Sequence, residues 1–587
     1  MIFMDKNKRA VSGLLRKKFR IAFITAAFIE FIQIVALTID SGIVCMLLGK
    51  NELAAVGIAS PFFFLCGIPA VCLSAGLQTL CSQELGKGDT EKANKYFNAT
   101  VIFSVIMVSV LTAVLFIAAP HLAFLFGARG NAAGLLELST VYLKNLAFDA
   151  APFIMLSVLT PVLVLDNDSR TVLASSIAGG ITNIAFDILS TKMGWGLCGI
   201  GLASAASASV SLLIALTHFL RKDNVIKSRP SEADLRSITE VIRCGLPNAI
   251  HSGSGFVRSL VLNSLVVAVG GCAGMSVLTI HSNIIDFADI IAVGIAGAVG
   301  VMSGIAFGEM NGEEMEDIGT LAVRYICTVS AVGLSVFLMF SSKAAAFIAG
   351  GQTDIRPLLM FALICIGSEI FFNAVIYYRV SYLQAVNENK NAQNLEASAN
   401  LVFLLMFAFL FSVMFGAYGV FAAFPVSKAA AMAVIYLIYK KKSGRNIPSL
   451  RDYLCLNESF FPDSKDNISY SVNGYEESAL TSEQIQLFCK GHGLEPKKAF
   501  SAGLCTEEML NNIISHGGDS PMIDIRVTIE DEKAVICIKD SGTPFDMKKA
   551  KEDHTKKIGF GLKLIHAMAD EISYYRLYDT NTTILRV

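Results

Sequence analysis

Long apolar runs separated by short polar segments fill the first three quarters of the chain. Each run can cross a bilayer as a helix, which takes about 20 predominantly apolar residues. The pattern predicts twelve spans, at 21–48, 53–81, 96–119, 139–165, 171–191, 197–220, 240–269, 275–305, 318–342, 357–386, 394–415 and 417–439. After about residue 440 the periodicity changes to strands and helices of ordinary length. The predicted fold is an all-α polytopic membrane body of two six-helix bundles, followed by an α+β sandwich domain.

Composition supports this division of the chain. Of its 587 residues, 53% are hydrophobic and 17% are charged, against about 25% charged in a typical soluble domain. The charged residues are sparse before residue 437 and dense after residue 440. A net charge of −1 makes no case for nucleic acid as a partner. The 13 cysteines form no C-x-x-C pair, and those in apolar runs indicate buried thiols rather than a metal or redox site.

The distribution of Lys and Arg predicts the orientation of the spans. Basic residues concentrate in the N-terminal tail, in the connections after spans 2 and 6, and in the exit KKKSGR. The positive-inside rule therefore places both termini in the cytosol of a multi-pass protein of the cell (inner) membrane. The predicted domains are a basic tail at 1–20, an N-terminal bundle at 21–220, a connector at 221–239, a C-terminal bundle at 240–440, a linker at 441–454 and the soluble domain at 455–587.

The two halves of the membrane body resemble each other at a nearly constant offset along the chain. SQELGKGDTEKANKY pairs with GIAFGEMNGEEMEDI, VLDNDSRTVLASS with QAVNENKNAQNLE, and GWGLCGIGLASAAS with FGAYGVFAAFPVS. Both bundles start from the cytosol, so they form a parallel repeat. Repeats of this kind enclose a central cavity and support alternating access by rocking of one bundle against the other.

Three polar residues lie deep within apolar runs of the first half. Asp40 is in IVALTIDSGIVCMLLG, and Asn183 and Asp187 are in SSIAGGITNIAFDILS. A carboxylate near the bilayer centre costs roughly 2.5–3.5 kcal/mol on insertion scales, so it normally faces an internal cavity. Asn183 and Asp187 are four residues apart and share one helix face. We interpret the three residues as the working site of a transporter; the alternative is an Asp that only caps a broken helix or bonds to a Ser.

Several segments in the first 440 residues resemble the multidrug and toxic compound extrusion (MATE) family. They are LGKGDTEKAN after span 2, GWGLCGIGLASA at span 6 and CGLPNAI at span 7, within a resemblance that covers about residues 15–440. It implies export of cationic and amphipathic compounds against a flow of H⁺ or Na⁺. One branch of the family couples through an Asp in helix 1 with an Asn and an Asp in helix 5, which Asp40, Asn183 and Asp187 match. Another branch uses acidic residues in helices 7 and 10; Glu369 is present here, but PNAIHSGSGF has none, so the N-terminal site is favoured.

Three motifs suited to nucleotide binding follow in order in the soluble domain. Their residues are Glu508, Asn512 and His516 in EEMLNNIISH, Asp540, Gly542 and Pro544 in DSGTPF, and Gly559 and Gly561 in KIGFGLKLI. A carboxylate and an amide on one helix face can orient water and hold Mg²⁺. An Asp after a strand can accept a hydrogen bond from an adenine amino group, and paired glycines at a helix start let backbone N–H groups approach phosphates.

These motifs resemble those of the ATPase superfamily shared by gyrase and histidine kinases, and the E-x-x-x-N-x-x-x-H form is most similar to the anti-sigma-factor serine kinases. The resemblance implies ATP and Mg²⁺ as cofactors. Its implied roles are Glu508 as base, Asn512 as Mg²⁺ ligand, Asp540 as adenine reader, Gly559 and Gly561 as lid hinge, and Thr582 or Thr583 at the adenine end. A nucleotide-free remnant is the alternative. The chain has no G-x-x-x-x-G-K-[ST] loop, so an ATP-driven pump is not predicted.

The sequence therefore predicts a cation-coupled exporter of small amphipathic or cationic compounds, using H⁺ or Na⁺, with a cytosolic ATP-binding domain. That domain is expected to regulate transport or to phosphorylate Ser or Thr on a protein partner. The alternative is a membrane-anchored signalling protein whose output is the kinase-like domain. The expected surroundings are the lipid bilayer and a small-molecule substrate.

Overall fold

The computed structural model describes most of the chain. The described residues are 11–44, 48, 50–59, 61–126, 134–221, 224–227, 229, 234–349, 355–444, 450–456, 460, 467–472, 474–518, 521–530, 532–545, 560–577 and 580–587. The description covers only the backbone at 36–42, 50–51, 53–54, 235, 267, 272, 349, 442–443, 450 and 560.

The membrane body is built from helices throughout its described residues. The helices are α1 Gly13–Ile43, α2 Lys50–Ala59, α3 Pro61–Gly86, α4 Thr90–Phe126, α5 Leu135–Leu146, α6 Ala150–Leu165, α7 Ser169–Lys192, α8 Gly196–Leu216, α9 Ile238–Gly308, α10 Gly312–Ala349, α11 Arg356–Ala385, α12 Asn389–Ala397, α13 Phe403–Phe415 and α14 Ala417–Ser443. Ten helices of the described part are long and apolar enough to cross a membrane. The predicted all-α membrane body is confirmed.

The helix α9 contains two of the predicted spans. At 71 residues it would be about 105 Å long if straight, several times the ~30 Å hydrocarbon core of a bilayer. Gly271 interrupts it with φ 58° and ψ −152°, a conformation that only glycine adopts without strain. The chain therefore turns at Gly271, between the predicted spans 240–269 and 275–305.

The predicted repeat is visible in the backbone. Asn167 and Asn387 follow corresponding helices of the two halves and have φ angles of 59° and 62°. Gly196 and Gly416 are separated by the same number of residues as Asn167 and Asn387, and they have φ angles of 55° and 58°. Left-handed residues are uncommon outside tight turns, so their recurrence at one offset shows that corresponding connections of the two bundles have the same shape.

A five-stranded antiparallel sheet with helices on one face forms the C-terminal domain in the part of it that the structure describes. The linker before it contains α15 Leu450–Tyr453, and the elements of the domain are β1 Asn467–Val472, α16 Tyr475–Gly491, α17 Pro496–His516, β2 Ile523–Glu530, β3 Lys533–Asp540, α18 Phe560–Met568, β4 Glu571–Leu577 and β5 Thr580–Arg586. The strand order is β1-β2-β3-β5-β4. The α+β sandwich is confirmed, and β4 is a strand that the sequence pattern did not reveal.

The two faces of the sheet pack against different parts of the molecule. Side chains of successive strand residues alternate between faces. Ile536, Ile538 and Leu585 face α16, α17 and α18 and form the core of the domain. Tyr575 and Leu577 face the other way and belong to the core of the membrane body. The sheet therefore lies between its own helices and one end of the membrane body, which we call the docked end.

Candidate functional site

The polar pair in α7 is buried and internally hydrogen-bonded. Asp187 has no exposed surface. Asn183 Nδ2 donates to Asp187 Oδ2 at 3.1 Å, one helical turn away. This arrangement confirms only that the two residues share a face; their coupling role stays a prediction. A buried carboxylate that accepts a hydrogen bond from an amide has the chemistry to exchange a proton or to help ligate Na⁺.

Asp40 lies on α1, which packs against α7. The side chain of Asp40 is outside the described residues, so its contacts are not part of the site as described. A β-carbon built on Gly180 would lie 3.8 Å from Ile32 Cγ2, which marks where the two helices touch. Both helices start at the docked end. Asp187 is seven residues beyond Gly180, and Asp40 is eight residues beyond Ile32. At a rise of 1.5 Å per residue, both lie about 10–12 Å from this contact, on the side away from the docked end.

The C-terminal bundle has its own buried polar groups, with a different character. Lys428 Nζ forms an ion pair with Glu369, and both side chains are 2% exposed. His281 Nε2 lies 3.2 Å from Glu369 Oε2. Asn373 donates to Asp289 Oδ1 at 2.8 Å. The charge of the Glu369 carboxylate is thus compensated by Lys428. The sequence signal for this partner was a single Lys within the apolar run VSKAAAMAV.

Asp540 ends strand β3 and is the centre of the candidate nucleotide site. It is 4% exposed, and its Oδ1 accepts hydrogen bonds from Gly542 N and Asn581 Nδ2, both at 2.8 Å. Burial raises the pKa of the Asp540 carboxyl, although the bonds from Asn581 and Gly542 act in the opposite direction. A buried carboxylate with one oxygen held in place is pre-organised to accept a hydrogen bond from a ligand amino group through the other.

Two neighbouring strands hold the amide that orients Asp540. Asn581 on β5 also receives hydrogen bonds at its Oδ1 from Arg576 NH1 at 2.7 Å and from Tyr574 OH at 2.9 Å, both on β4. Arg576 NH1 donates to Gly542 O as well, at 2.9 Å. The sequence pattern does not predict Arg576 and Tyr574, because it does not predict strand β4, and Asn581 on β5 is connected to Asp540 only by the register of the sheet. The signal was present in EISYYRL, which is rich in β-branched and aromatic residues.

The structure brings the three predicted motifs together. Thr543, within DSGTPF, donates from N to Gly517 O at 3.0 Å and from Oγ1 to His516 O at 2.9 Å, which joins the second motif to the end of α17. A β-carbon on Gly561 would lie 2.1 Å from Glu508 Oε2, so the third motif lies against the first. The side chain of Pro544 is exposed, and Gly559 lies outside the described residues.

The residues present fit a phosphate-bearing ligand with Mg²⁺. Asn512 Nδ2 is buried with no hydrogen-bond partner among the described residues. A buried amide without a partner costs about 1–3 kcal/mol, so it is normally satisfied by a ligand, water or ion. Asn512 lies one turn after Glu508 on α17, and Gly561 leaves room beside that carboxylate. Asn512 Nδ2 thus has the chemistry to donate to a phosphate oxygen, the amide oxygen of Asn512 would hold Mg²⁺, and Glu508 would lie one turn away as the base.

The register of the sheet separates the two threonines proposed at the adenine end. Thr582 pairs with Lys539 and Tyr575, so it lies on the face that contacts the membrane body. Thr583 pairs with Ile538 and lies on the face of Asp540. Both threonines are buried. The structure therefore does not bring Thr582 to the nucleotide site, whereas the alternative, Thr583, is on the correct face.

Comparisons with known proteins agree with both parts of the chain. The MatE family model matches residues 26–189, and the model of the histidine kinase-like ATPase domain matches residues 477–587. Multidrug export protein MepA of Staphylococcus saprophyticus is 25% identical over 415 residues, covering 66% of this chain and 86% of the relative. The probable multidrug resistance protein NorM of Rhizobium meliloti is 24% identical over 428 residues, covering 69% and 89%.

Solved structures show the same fold. An outward-facing multidrug resistance MATE family transporter of the MOP superfamily superposes with a TM-score of 0.67 at 22% identity, over 75% of this chain and 99% of that chain. A MOP superfamily transporter from Pyrococcus furiosus gives a TM-score of 0.66 at 23% identity, over 75% and 99%. The chain thus has the MATE fold, is similar in sequence to MATE multidrug exporters, and carries a histidine kinase-like ATPase domain on the same polypeptide.

Proposed function

We propose that the chain is a cation-coupled exporter of small amphipathic or cationic compounds, regulated by a cytosolic ATP-binding domain. The observation that carries the transport part is the buried Asn183–Asp187 pair, on a helix packed against the helix of Asp40. Binding of H⁺ or Na⁺ at these carboxylates removes buried negative charge, which shifts the balance between outward-open and inward-open states. Both termini and the ATP-binding domain are cytosolic in this proposal.

Dye efflux from everted membrane vesicles tests the coupling site. We expect Asp40→Asn and Asp187→Asn to reduce ion-driven dye transport by at least about tenfold, because an amide cannot take up a proton or compensate Na⁺. Thr182→Val is the matched control on the same helix, since Thr182 Oγ1 donates to Ala178 O of its own helix. Unchanged efflux and ion dependence in both Asn variants would remove the coupling assignment.

The nucleotide part of the proposal rests on Asp540, Asn512 and Glu508, which the fold gathers on one side of the sheet. Asp540 would accept the adenine amino group, Asn512 would hold Mg²⁺, and Glu508 would serve as base toward a hydroxyl or water. When bound, Mg²⁺-ATP supplies a transferable phosphoryl group. We favour regulation over a separate signalling output because the domain is docked on the transporter through buried ion pairs of Lys539 with Glu309 and Glu314.

Binding of Mg²⁺-ATP to the full-length protein in detergent tests this part. We expect Asp540→Asn to weaken binding by at least about tenfold, since the amide presents a donor where the adenine amino group needs an acceptor. Asp570→Asn is the control, because Asp570 is exposed and pairs with Lys533 at the sheet edge. Equal affinity of wild type and Asp540→Asn would refute the role of Asp540.

A further inference from the structure

One face of the sheet makes buried contacts with the C-terminal bundle. Lys539 Nζ lies 2.8 Å from Glu309 Oε2, in the turn between α9 and α10, and 2.5 Å from Glu314 Oε2, in the first turn of α10. Tyr575 OH donates to Glu309 Oε1 at 2.8 Å, and Arg526 NH2 donates to Met310 O at 3.2 Å. We call this face, which carries Asp524, Arg526, Lys539, Ser573 and Tyr575, the docking face.

The same face also reaches the N-terminal bundle. Ser12 Oγ, just before α1, donates a hydrogen bond to Asp524. A β-carbon on Gly88, in the turn between α3 and α4, would lie 3.4 Å from Ser573 Oγ. Ser573 is on β4, at the other side of the sheet from β1. The docking face therefore spans both bundles.

The two contacted turns are equivalent positions of the repeat. Gly88 has φ 80° in the first half, and Met310, at the corresponding place of the second half, has φ 53°. Both are the left-handed residues that connect the second helix of a bundle to the third. One domain thus binds the same structural point in both bundles, and any rocking of one bundle against the other changes the distance between its two attachment points.

The contacts of the linker attach the domain to the C-terminal bundle. Arg379 NH1 on α11 donates to Tyr453 O at 3.0 Å, and Tyr382 OH donates to Leu454 O at 2.8 Å. Arg451 on α15 pairs with Glu316 on α10 at 3.0 Å. These contacts, with the Lys539 ion pairs described above, anchor the domain to one bundle. Toward the N-terminal bundle, the contacts of the described residues include the hydrogen bond of Ser12 and van der Waals contacts, and the buried Lys18 of α1 places a like charge near Lys539.

The docked end of the membrane body is closed. A β-carbon on Gly86 would lie 2.1 Å from Ile305 O, and one on Gly308 would lie 2.1 Å from Gln83 O, so the two bundles meet there backbone to backbone. Gln83 Nε2 also donates to Ala385 O across the same junction at 2.7 Å. Opening of this end has to pull α3 away from α9 and α11.

We propose that the ATP-binding domain is a removable brace across the two bundles, which holds the cytosolic end closed while it is docked on both. The domain stays attached to the C-terminal bundle, and release of its contacts at Ser12 and Gly88 permits the inward-open state. This inference rests on the proposed alternating-access transport. It specifies how the domain regulates that transport: by the geometry of docking, at a surface separate from the nucleotide site.

A reversible crosslink across the weaker contact tests the brace. In full-length protein carrying Ser12→Cys and Asp524→Cys, a short bis-methanethiosulfonate reagent joins the domain to the N-terminal bundle. We expect dye transport to fall at least about tenfold on crosslinking and to recover when a reductant cleaves the linker. Arg451→Cys with Glu316→Cys is the matched control: it joins the domain to the bundle on which it is already anchored, and transport is expected to continue.

Distances between the bundles test the brace without any transport assay. Arg170 on α7 and Lys390 on α12 are exposed, are equivalent in the repeat and lie at the docked end. With spin labels attached through non-canonical residues there, we expect two distance populations in the uncrosslinked protein and only the short one after the Ser12–Asp524 crosslink. Asp524→Ala is expected to enrich the long population.

The outcomes separate the brace from the transport function beneath it. A long-distance population that persists in the crosslinked protein, or full transport while crosslinked, overturns the brace. Absence of dye transport from the uncrosslinked parent speaks against the exporter function, whereas the distance measurement still tests the brace. If Asp524→Ala fails to fold, the variant with Ser12→Cys and Asp524→Cys decides the outcome. Cleavage of its crosslink by the reductant returns the uncrosslinked protein, so each sample is its own control.

Discussion

Replacing Lys539 by Met is the most direct perturbation of the docking face. The ammonium is held between Glu309 and Glu314, and the side chains of Lys539 and Glu309 are 10% and 6% exposed. Burial alone lowers the pKa of Lys539, but the two carboxylates outweigh it and hold the pKa above its ordinary value. The charged Lys539 therefore contributes to stability throughout the neutral range, and its contribution is lost as the pH rises through the raised pKa.

The magnitude follows from what the substitution leaves behind. Removing one partner of a buried ion pair costs about 3–5 kcal/mol, because the remaining charge stays buried without compensation. At 1.4 kcal/mol per factor of ten, the docking equilibrium should move roughly 10²- to 10⁴-fold toward the undocked state. Lys533→Met on the same strand is the control: its pair with Asp570 is 43% and 57% exposed, and such a pair contributes at most about 1 kcal/mol.

Hydrogen–deuterium exchange of the full-length protein in nanodiscs measures this effect. We expect the turn at 309–314 and the strand residues facing it to exchange faster in Lys539→Met and at the wild-type rate in Lys533→Met. Adding Glu309→Gln and Glu314→Gln to Lys539→Met should restore part of the protection, because the two carboxylates no longer stay buried without Lys539, while the buried Lys18 of α1 keeps its charge beside them. Wild-type protection in Lys539→Met would show that the ion pairs do not hold the domain, and the reasoning would fail.

Three further predictions concern the nucleotide site. Gly561→Ala places a β-carbon where the carboxylate of Glu508 lies, so phosphoryl transfer or hydrolysis should fall at least about tenfold while thermal unfolding changes little, measured by phosphate release and calorimetry. Thr583→Val should weaken ATP binding and Thr582→Val should not, because only the first lies on the nucleotide face; equal effects in titration calorimetry would refute the register argument. Asn581→Ala removes a hydrogen bond to a buried carboxylate and should cost about 1.5–3 kcal/mol of domain stability, read from chemical denaturation.

Local patterns in the sequence predict the helices and the motif residues but not the contacts between distant segments. Apolar runs and the constant offset between the two halves are enough for the membrane body, because a bilayer demands long continuous helices. Strand β4 was missed because apolar residues occur on both of its faces: Ile572 faces the domain core, whereas Tyr575 and Leu577 face the membrane body. A strand buried on both sides loses the alternation that identifies a half-exposed strand.

The same limit applies to the site. Asp540 was predicted from its motif, but Asn581, which orients it, comes from the last strand of the chain and becomes visible only through the register. The sequence pattern predicts that Lys539 is an ordinary exposed strand residue. Only the structure shows that the turn at Glu309 packs against it. Pairing between segments so far apart in the chain depends on the packed structure, and no local periodicity encodes it.

Strand β3 carries Asp540 and Lys539 as consecutive residues, one on each face of the sheet. This adjacency has a consequence for energy coupling. If nucleotide bound at Asp540 changes the strength of docking at Lys539 by some factor, then docking must change the affinity for nucleotide by the same factor, because binding free energies are reciprocal. An export substrate that drives the bundles apart would then alter how tightly ATP is held. The ATP-binding domain would report the state of the transporter as well as control it.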